Sequence, residues 1–531
     1  MGMPRWGRYA IWITFIGVVF APPGYLFLDA FLFTAGDESP NFQDLLLSSR
    51  QWGLLCSSLL LATGAALLAS VIGVPYAFLC QKTDLPGRIL FSGAYLIPLL
   101  IPPYMQAILW SRLLAGNGAV NRFMMDLFGL TAPPLNIHSL PGAMFVLAIA
   151  YFPFVTLLTL SGLKSLDWEL ERAALLQGGA RRTVRHVTLP LVRPHIIAGT
   201  LFVFVFSIID FGVPDILRIN VYPVEIFIQF TALYDERAAI ILGIPLLGVT
   251  VLVIFLLTRT MRDSAYVSFG AGSGSAVIYP LGSSRAIAGL FCAAVLLISV
   301  IIPAGTLASL AGSLESYWNA LSSSWEQIAT SFLMAITAAA LMTLFSLFLG
   351  MAIYQSQGAW KNLAQYITQI PFALPPVLLG IGMIKLWNHQ AMDWLYGTSL
   401  IVILGYVAHF IPFTLRAVYS NIQQLNPRLI EAAALVRPAG VAFGGKVLLP
   451  LLRNGLISAF FIAFILAMGE LGITLLVIPP GIATIPVKIY NFMHYGAEAT
   501  VAALCLILLV LQLLMAGGLF YLSRRLDRGP G

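Results

Sequence analysis

The sequence predicts an all-α polytopic membrane protein of about twelve transmembrane helices, laid out as two tandem six-helix repeats that run parallel. Three observations predict it: a composition too apolar for water, uncharged runs of membrane-spanning length, and short motifs that each appear twice. Of 531 residues, 59% are hydrophobic and only 10% charged, with a mean hydropathy of +0.90. A soluble chain of this size cannot cover its surface with so few charges.

A helix needs about 20 apolar residues to cross about 30 Å of hydrocarbon. Runs of that kind, bounded by charges or by Pro/Gly clusters, fall at 9–28, 54–79, 89–110, 143–163, 196–217 and 238–258. Six more fall at 287–310, 328–354, 367–387, 400–419, 456–478 and 499–522. Arg5 and Arg8 ahead of the first run give it the outline of a signal peptide, but the run is longer than the usual apolar core, so an uncleaved first span is expected. The division is a first unit at 1–258, a Gly/Ser-rich linker at 259–285 containing GAGSGS, and a second unit at 286–531.

Charge sets the orientation. With the N-terminus inside, all but seven of the 29 Lys and Arg residues fall on the inner side; the exceptions are Arg50, Arg112, Arg122, Arg218, Arg237, Lys385 and Lys488. That bias puts both termini and the linker in the cytoplasm. It also accounts for the net charge of +7 without nucleic acid, because the basic residues lie between apolar spans rather than along a groove interleaved with stacking aromatics. Cys56, Cys80, Cys292 and Cys505 lie within or beside apolar runs with no CxxC pair, and read as small packing residues.

The repeat is visible residue by residue. IPLLIPP at 97–103 matches IPFALPP at 370–376, FPF at 152–154 matches IPF at 411–413, and VTLPLVRPHI at 187–196 matches VLLPLLRNGL at 447–456. An even number of spans per unit makes the two copies parallel, related by an axis along the membrane normal.

Each unit has its longest inner segment between its fourth and fifth spans, at 164–195 and 420–455. The first reads LDWELERAALLQGGARRTVRHVTLPLVRP and the second LNPRLIEAAALVRPAGVAFGGKVLLPLLRN. Both begin with helix formers carrying an acid and alanines, pass through glycine, and end in Leu-Pro before the next span. Alanines let a short helix seat closely in a groove, glycine permits a turn, and proline sets the exit into the membrane. A pair of amphipathic loops lying on lipid headgroups is the plainer reading, and the same order occurring twice at matched positions argues against it.

The pattern resembles the EAA loop of ABC-type importer permeases, whose consensus is Glu-Ala-Ala, three residues, Gly, then a hydrophobic residue and Leu-Pro. The second copy supplies Glu431, Ala432, Ala433 and Pro450 at that spacing, with Arg437 at the glycine position and Gly440 nearby. In the first copy, aligning Ala173, Ala174 and Gly178 puts Arg172 at the acidic position. Aligning Glu171 restores the length to Pro190 and puts Gln177 at the glycine position. The six-plus-six layout resembles a permease with both membrane subunits fused, as in the ferric iron permeases and, less closely, the thiamine permeases.

That resemblance implies a bacterial inner-membrane protein moving ferric iron, or alternatively thiamine or another small solute, by alternating access. Its partners would be two copies of a cytoplasmic ABC ATPase docked on the two loops, a periplasmic or extracellular substrate-binding protein, and the lipid bilayer. ATP and Mg would be used by the ATPase, with no cofactor on this chain and no enzyme activity of its own. GVAFGGKV at 440–447 meets GxxxxGK, but it lacks the Ser/Thr for Mg and sits in a loop between spans rather than in an α/β domain.

Two acids stand within apolar spans, where ionisable groups are costly and mark function by default. Asp210 and Glu470 lie equally far after the Leu-Pro proline of their own units, Pro190 and Pro450, in the outer half of the fifth span. They read either as a carboxylate pair lining the cation pathway or as hydrogen-bonding residues between helices or toward a delivering protein. Tyr234, Asp235, His494 and Tyr495 have metal-ligand chemistry, but loops that dock a binding protein are the plainer account of them. His409, beside Phe410 on an apolar span, reads as a hydrogen-bonded packing residue. A secondary transporter with two six-span repeats is the rival class; it predicts midplane coupling carboxylates and no duplicated loop. A membrane enzyme lacks the polar catalytic cluster it needs.

Overall fold

The computed structural model describes residues 5–29, 48–264, 277–425, 447–496 and 498–527. Among them the chain is helical, with one isolated bridge between Thr83 and Tyr279. Among the described residues ten helices are long and apolar enough to cross a membrane, and counting each of two bent pairs as one span brings the number to twelve.

The bent pairs are the third and ninth spans, which as uninterrupted apolar runs would be straight. Arg88–Leu100 meets Pro103–Leu113 at 91°, and Gly358–Ala373 meets Pro376–Trp387 at 95°. The repeated Pro-Pro motif is the cause. Pro102 and Pro375 drive the residue ahead of them, Ile101 and Leu374, into extended backbone, and neither supplies an N–H to continue the ladder. Pro103 and Pro376 then suit the first turn of the next helix, where no N–H is needed.

The first span of each repeat also departs from a regular helix at a proline. A π turn at Ile16–Phe20 precedes Pro22 and Pro23, and a π turn at Leu297–Ile301 precedes Pro303. A proline cannot donate to the preceding turn and its ring crowds the carbonyl there, so the helix widens locally.

Packing divides the described chain differently from the repeat. One compact unit holds residues 46–228 and 244–309, that is, spans two to five, most of span six, and span seven. The other holds residues 1–45, 229–243 and 310–531, which adds the chain's first span to spans eight to twelve. In this second unit Phe15, Val19, Pro22 and Leu26 form a buried stripe on the first span. Gly382 brings the ninth span so close that a Cβ there would lie 2.7 Å from the Pro22 carbonyl oxygen. Lys385 on the same helix reaches Glu236 and, at 3.4 Å, Asp29.

Within each unit small and hydroxylated residues hold the helices together, as expected where lipid removes the hydrophobic drive between apolar faces. In the first-repeat unit Ser70 and Thr200 share a hydrogen bond of 2.7 Å. In the other unit Ser346 and Thr414 do the same at 2.7 Å. Ser58 accepts from the Tyr222 amide at 2.9 Å, and Ser331 from the Ile485 amide at 2.7 Å, so the repeat reaches single hydrogen bonds. Gly199 on the fifth span (Leu189–Ile209) faces the backbone of the fourth (Leu140–Lys164), where an added Cβ would stand 2.9 Å from the Val155 Cα. We expect Gly199→Ala to force these helices apart at a cost of about 1–3 kcal/mol, measurable as a lower unfolding temperature in detergent.

Candidate functional site

The first duplicated loop folds as a helix, Trp168–Thr183, capped by Asp167, whose carboxylate accepts from the Glu169 amide at 2.9 Å. Acids in its first turn and Arg181 and Arg182 in its last suit the helix dipole. The turn glycine is Gly179, with φ +70° and ψ 173°, a region that only glycine adopts readily. Gly178, the glycine expected to make the turn, stays half-buried in the helix against the flexible Arg182 side chain. Past Gly179 a π turn at Val184–Thr188 leads into the fifth span, with Pro190 in its first turn, as the exit from the loop requires.

One face of this helix is bare. Leu170, Ala173, Leu176 and Gln177 are exposed at helical spacing, Leu176 to 90%, with Ala174 half-buried behind them. Arg181, Arg182 and Arg185 are exposed at its far end. Glu171 points the opposite way and is fully buried. It forms an ion pair with Lys82, the last residue of the second span, and accepts from the Thr188 hydroxyl at 2.9 Å. Lys82 was legible only as one of the inner-side charges; that it is 2% exposed and pairs with the loop had no sequence signal, because the two residues are far apart in the chain.

The end of the second span is held again by the segment that leads into the second repeat. The Tyr279 amide donates to the Lys82 carbonyl at 2.7 Å, and its ring stacks on Phe78 with centroids 5.9 Å apart. Asp84 accepts from the Leu281 amide at 2.9 Å and pairs with Arg285. That guanidinium and the Leu281 N–H hold the Asp84 carboxyl below the usual range.

In the second loop Glu431, Ala432, Ala433 and Gly440 lie outside the described residues. Pro450 is described; it is exposed in the first turn of the eleventh span, Leu449–Met468, matching Pro190.

The two membrane acids stand at breaks rather than inside continuous helices. The fifth span stops at Ile209, and a short helix, Gly212–Ile216, follows. Because the span starts as early as Leu189, its 21 residues rise about 30 Å, which puts Asp210 at its far end. Asp210 accepts from the Val213 amide at 2.9 Å and the Tyr151 hydroxyl at 3.2 Å. The eleventh span stops at Met468, before Gly472–Val477. Glu470 accepts from the Ile473 amide at 2.6 Å, the Thr474 amide at 3.0 Å and the Thr474 hydroxyl, which Tyr406 contacts at 2.9 Å. Each carboxylate therefore takes up amides that the break would otherwise leave unpaired.

Among the described residues no three His, Cys, Asp or Glu side chains come together as a metal site. Tyr234 and Tyr495 are both 84% exposed, and Asp235 accepts from the Ala238 amide at 2.8 Å at the head of the sixth span. The His494 side chain lies outside the described residues. His409 is buried edge-on against Phe410, and its Nδ1 has no hydrogen-bond partner among the described residues.

The family described as binding-protein-dependent transport system inner membrane component matches residues 69–263 and again 342–528, so each match spans one loop. The chain belongs to this family. It is a fused, multi-pass inner-membrane permease of the ABC importer class, carrying the family domain twice. The permease is 23% identical over 481 residues to the ferric transport system permease protein of Actinobacillus pleuropneumoniae, covering 87% of this chain and 69% of that protein. It is 22% identical over 520 residues to an Fe(3+)-transport system permease protein of Haemophilus influenzae, covering 95% and 97%. A 169-residue stretch is 30% identical to the molybdenum transport system permease protein of Escherichia coli, covering 32% of this chain and 72% of that protein.

Proposed function

We propose that this permease moves ferric iron, received from a periplasmic or extracellular binding protein, and that two separate ATPase subunits drive it through the loops at 164–195 and 420–455. Both termini and both loops face the cytoplasm in this reading, as the Lys and Arg distribution requires. ATP and Mg belong to the ATPase; the permease binds no cofactor and performs no chemistry on its substrate. Movement is alternating access between the repeats.

The observation that carries the docking is the bare face of Trp168–Thr183. A small-residue and leucine face with arginines at one end fits a cleft that is apolar at its base and acidic at its rim. Iron as the substrate is supported by the two fused relatives named for it, which match most of the chain. The duplicated loop favours ATP over an ion gradient as the energy source.

The test is reconstitution in liposomes with candidate ATPase and binding-protein subunits, following labelled ferric iron against thiamine. Uptake of iron that needs internal ATP and persists when ion gradients are collapsed is the expected result. Thiamine uptake would overturn the substrate, and uptake that follows an ion gradient without ATPase would overturn the class. Leu176→Asp, on the bare face, is expected to lower ATPase association at least tenfold, about 1.4 kcal/mol, without affecting folding, read by co-purification.

A further inference from the structure

The two loops are alike in sequence order, but the residue types at the positions that hold the first are not repeated in the second. The same motif alignment that pairs the repeats sets Gln355 opposite Lys82 and Leu448 opposite Thr188. At these two aligned positions the second repeat has an amide and an aliphatic side chain in place of the ammonium and the hydroxyl that hold Glu171. The inter-repeat segment, which occurs once in the chain, is fastened on the second span through Tyr279, Leu281 and Arg285.

We propose that Lys82, Glu171, Thr188 and Tyr279 form a strut that makes the first ATPase-docking helix move as one body with the second span, so that motion of the docked loop reaches the membrane through that span. This rests on the docking role proposed above. Lys82 is the last residue of a 34-residue helix, and its ammonium is locked on the first turn of Trp168–Thr183. Thr188 ties the same carboxylate to the segment entering the fifth span. The Tyr279 amide holds the Lys82 carbonyl and its ring stacks on Phe78, which adds the inter-repeat segment to the same body. Directional bonds on one carboxylate from two elements, Lys82 at the end of the second span and Thr188 ahead of the fifth, restrain rotation as well as translation, which an apolar contact does not. Glu171 and Lys82 are thus positioning residues: they act through the helix they hold, not by touching the ATPase.

Two variants test the strut. Lys82→Gln reproduces the residue of the second repeat, and Lys82→Met/Glu171→Leu replaces the pair with uncharged side chains, so that at least one keeps the fold. Amide hydrogen exchange on the purified permease alone is the first readout, and it does not depend on any ATPase. Exchange over 168–183 is expected to rise roughly tenfold or more, with 426–446 unchanged. In the reconstituted importer, ATPase association is expected to persist while iron moved per ATP falls several-fold. Unchanged exchange over 168–183 in a folded variant, or faster exchange with unchanged iron per ATP, would overturn the strut. Failure of the wild-type chain to associate with any ATPase would instead overturn the docking role, leaving the exchange result to stand separately.

Discussion

Lys82→Met alone is expected to destabilise the first-repeat unit by about 3–5 kcal/mol, a large share of the stability of an ordinary domain. Both members of the pair are buried, with side-chain exposures of 3% for Lys82 and 0% for Glu171. Methionine fills a similar volume but leaves the Glu171 carboxylate in a low-dielectric site with the Thr188 hydroxyl as its remaining side-chain donor. Desolvation of that charge is then uncompensated. Adding Glu171→Leu removes the charge itself, so the double variant is expected to recover most of the loss. Thermal unfolding in detergent of the two single variants and the double gives the coupling energy directly. Equal loss in the single and the double would mean that packing, not charge, holds the loop helix. Recovery of stability without recovery of iron moved per ATP would separate the strut's role in transport from its role in folding.

Glu470→Leu is expected to abolish transport and to lower stability, because it leaves the Ile473 and Thr474 amides without their carboxylate acceptor in a site where Glu470 is 6% exposed, while the Thr474 hydroxyl keeps Tyr406. Each orphaned group costs about 1–3 kcal/mol. Asp210→Asn is expected to transport close to wild type, since asparagine caps a helix start about as well as aspartate, whereas Asp210→Ala loses the cap at about 0.5–2 kcal/mol. Glu470→Gln keeps one acceptor oxygen and is expected to fall between Glu470→Leu and wild type. The series distinguishes cap from cation ligand. Capping predicts that uptake follows the acceptor; coordination predicts that Asn and Gln fail as completely as Ala and Leu. Uptake of ferric iron and unfolding temperature, measured on the same preparations, decide it.

The matched breaks also bear on how the repeats move. A helix that stops at an acid, takes up its own next amides and restarts a residue or two later has no continuous ladder at that point. Such a break concentrates backbone freedom in a few residues while the carboxylate takes up amides that follow it. Prolines perform the corresponding task in the third and ninth spans, where the bend is built by missing donors rather than by a side-chain acceptor.

Several features followed from the sequence by itself, because they depend on local chemistry or on period. The run of membrane-spanning helices, the twofold repeat of the family domain and the prolines that start the fifth and eleventh spans were all legible from residue type and spacing. The sharp bends at Ile101-Pro102 and Leu374-Pro375 were present as motifs, but hydropathy averages over a run and does not register direction. Gly178 and Gly179 are neighbours with the same propensity, so the sequence does not choose between them, and the structure places the turn at Gly179. What tertiary structure alone decided is where long-range polar groups meet. Glu171 turns inward to Lys82, the inter-repeat segment returns to the second span at Tyr279, and each repeat's first span packs with the spans of the other. These contacts join residues far apart in the chain, and no local period or propensity encodes a partner at that distance. The burial that makes an ion pair or a cap strong exists only once the helices have assembled.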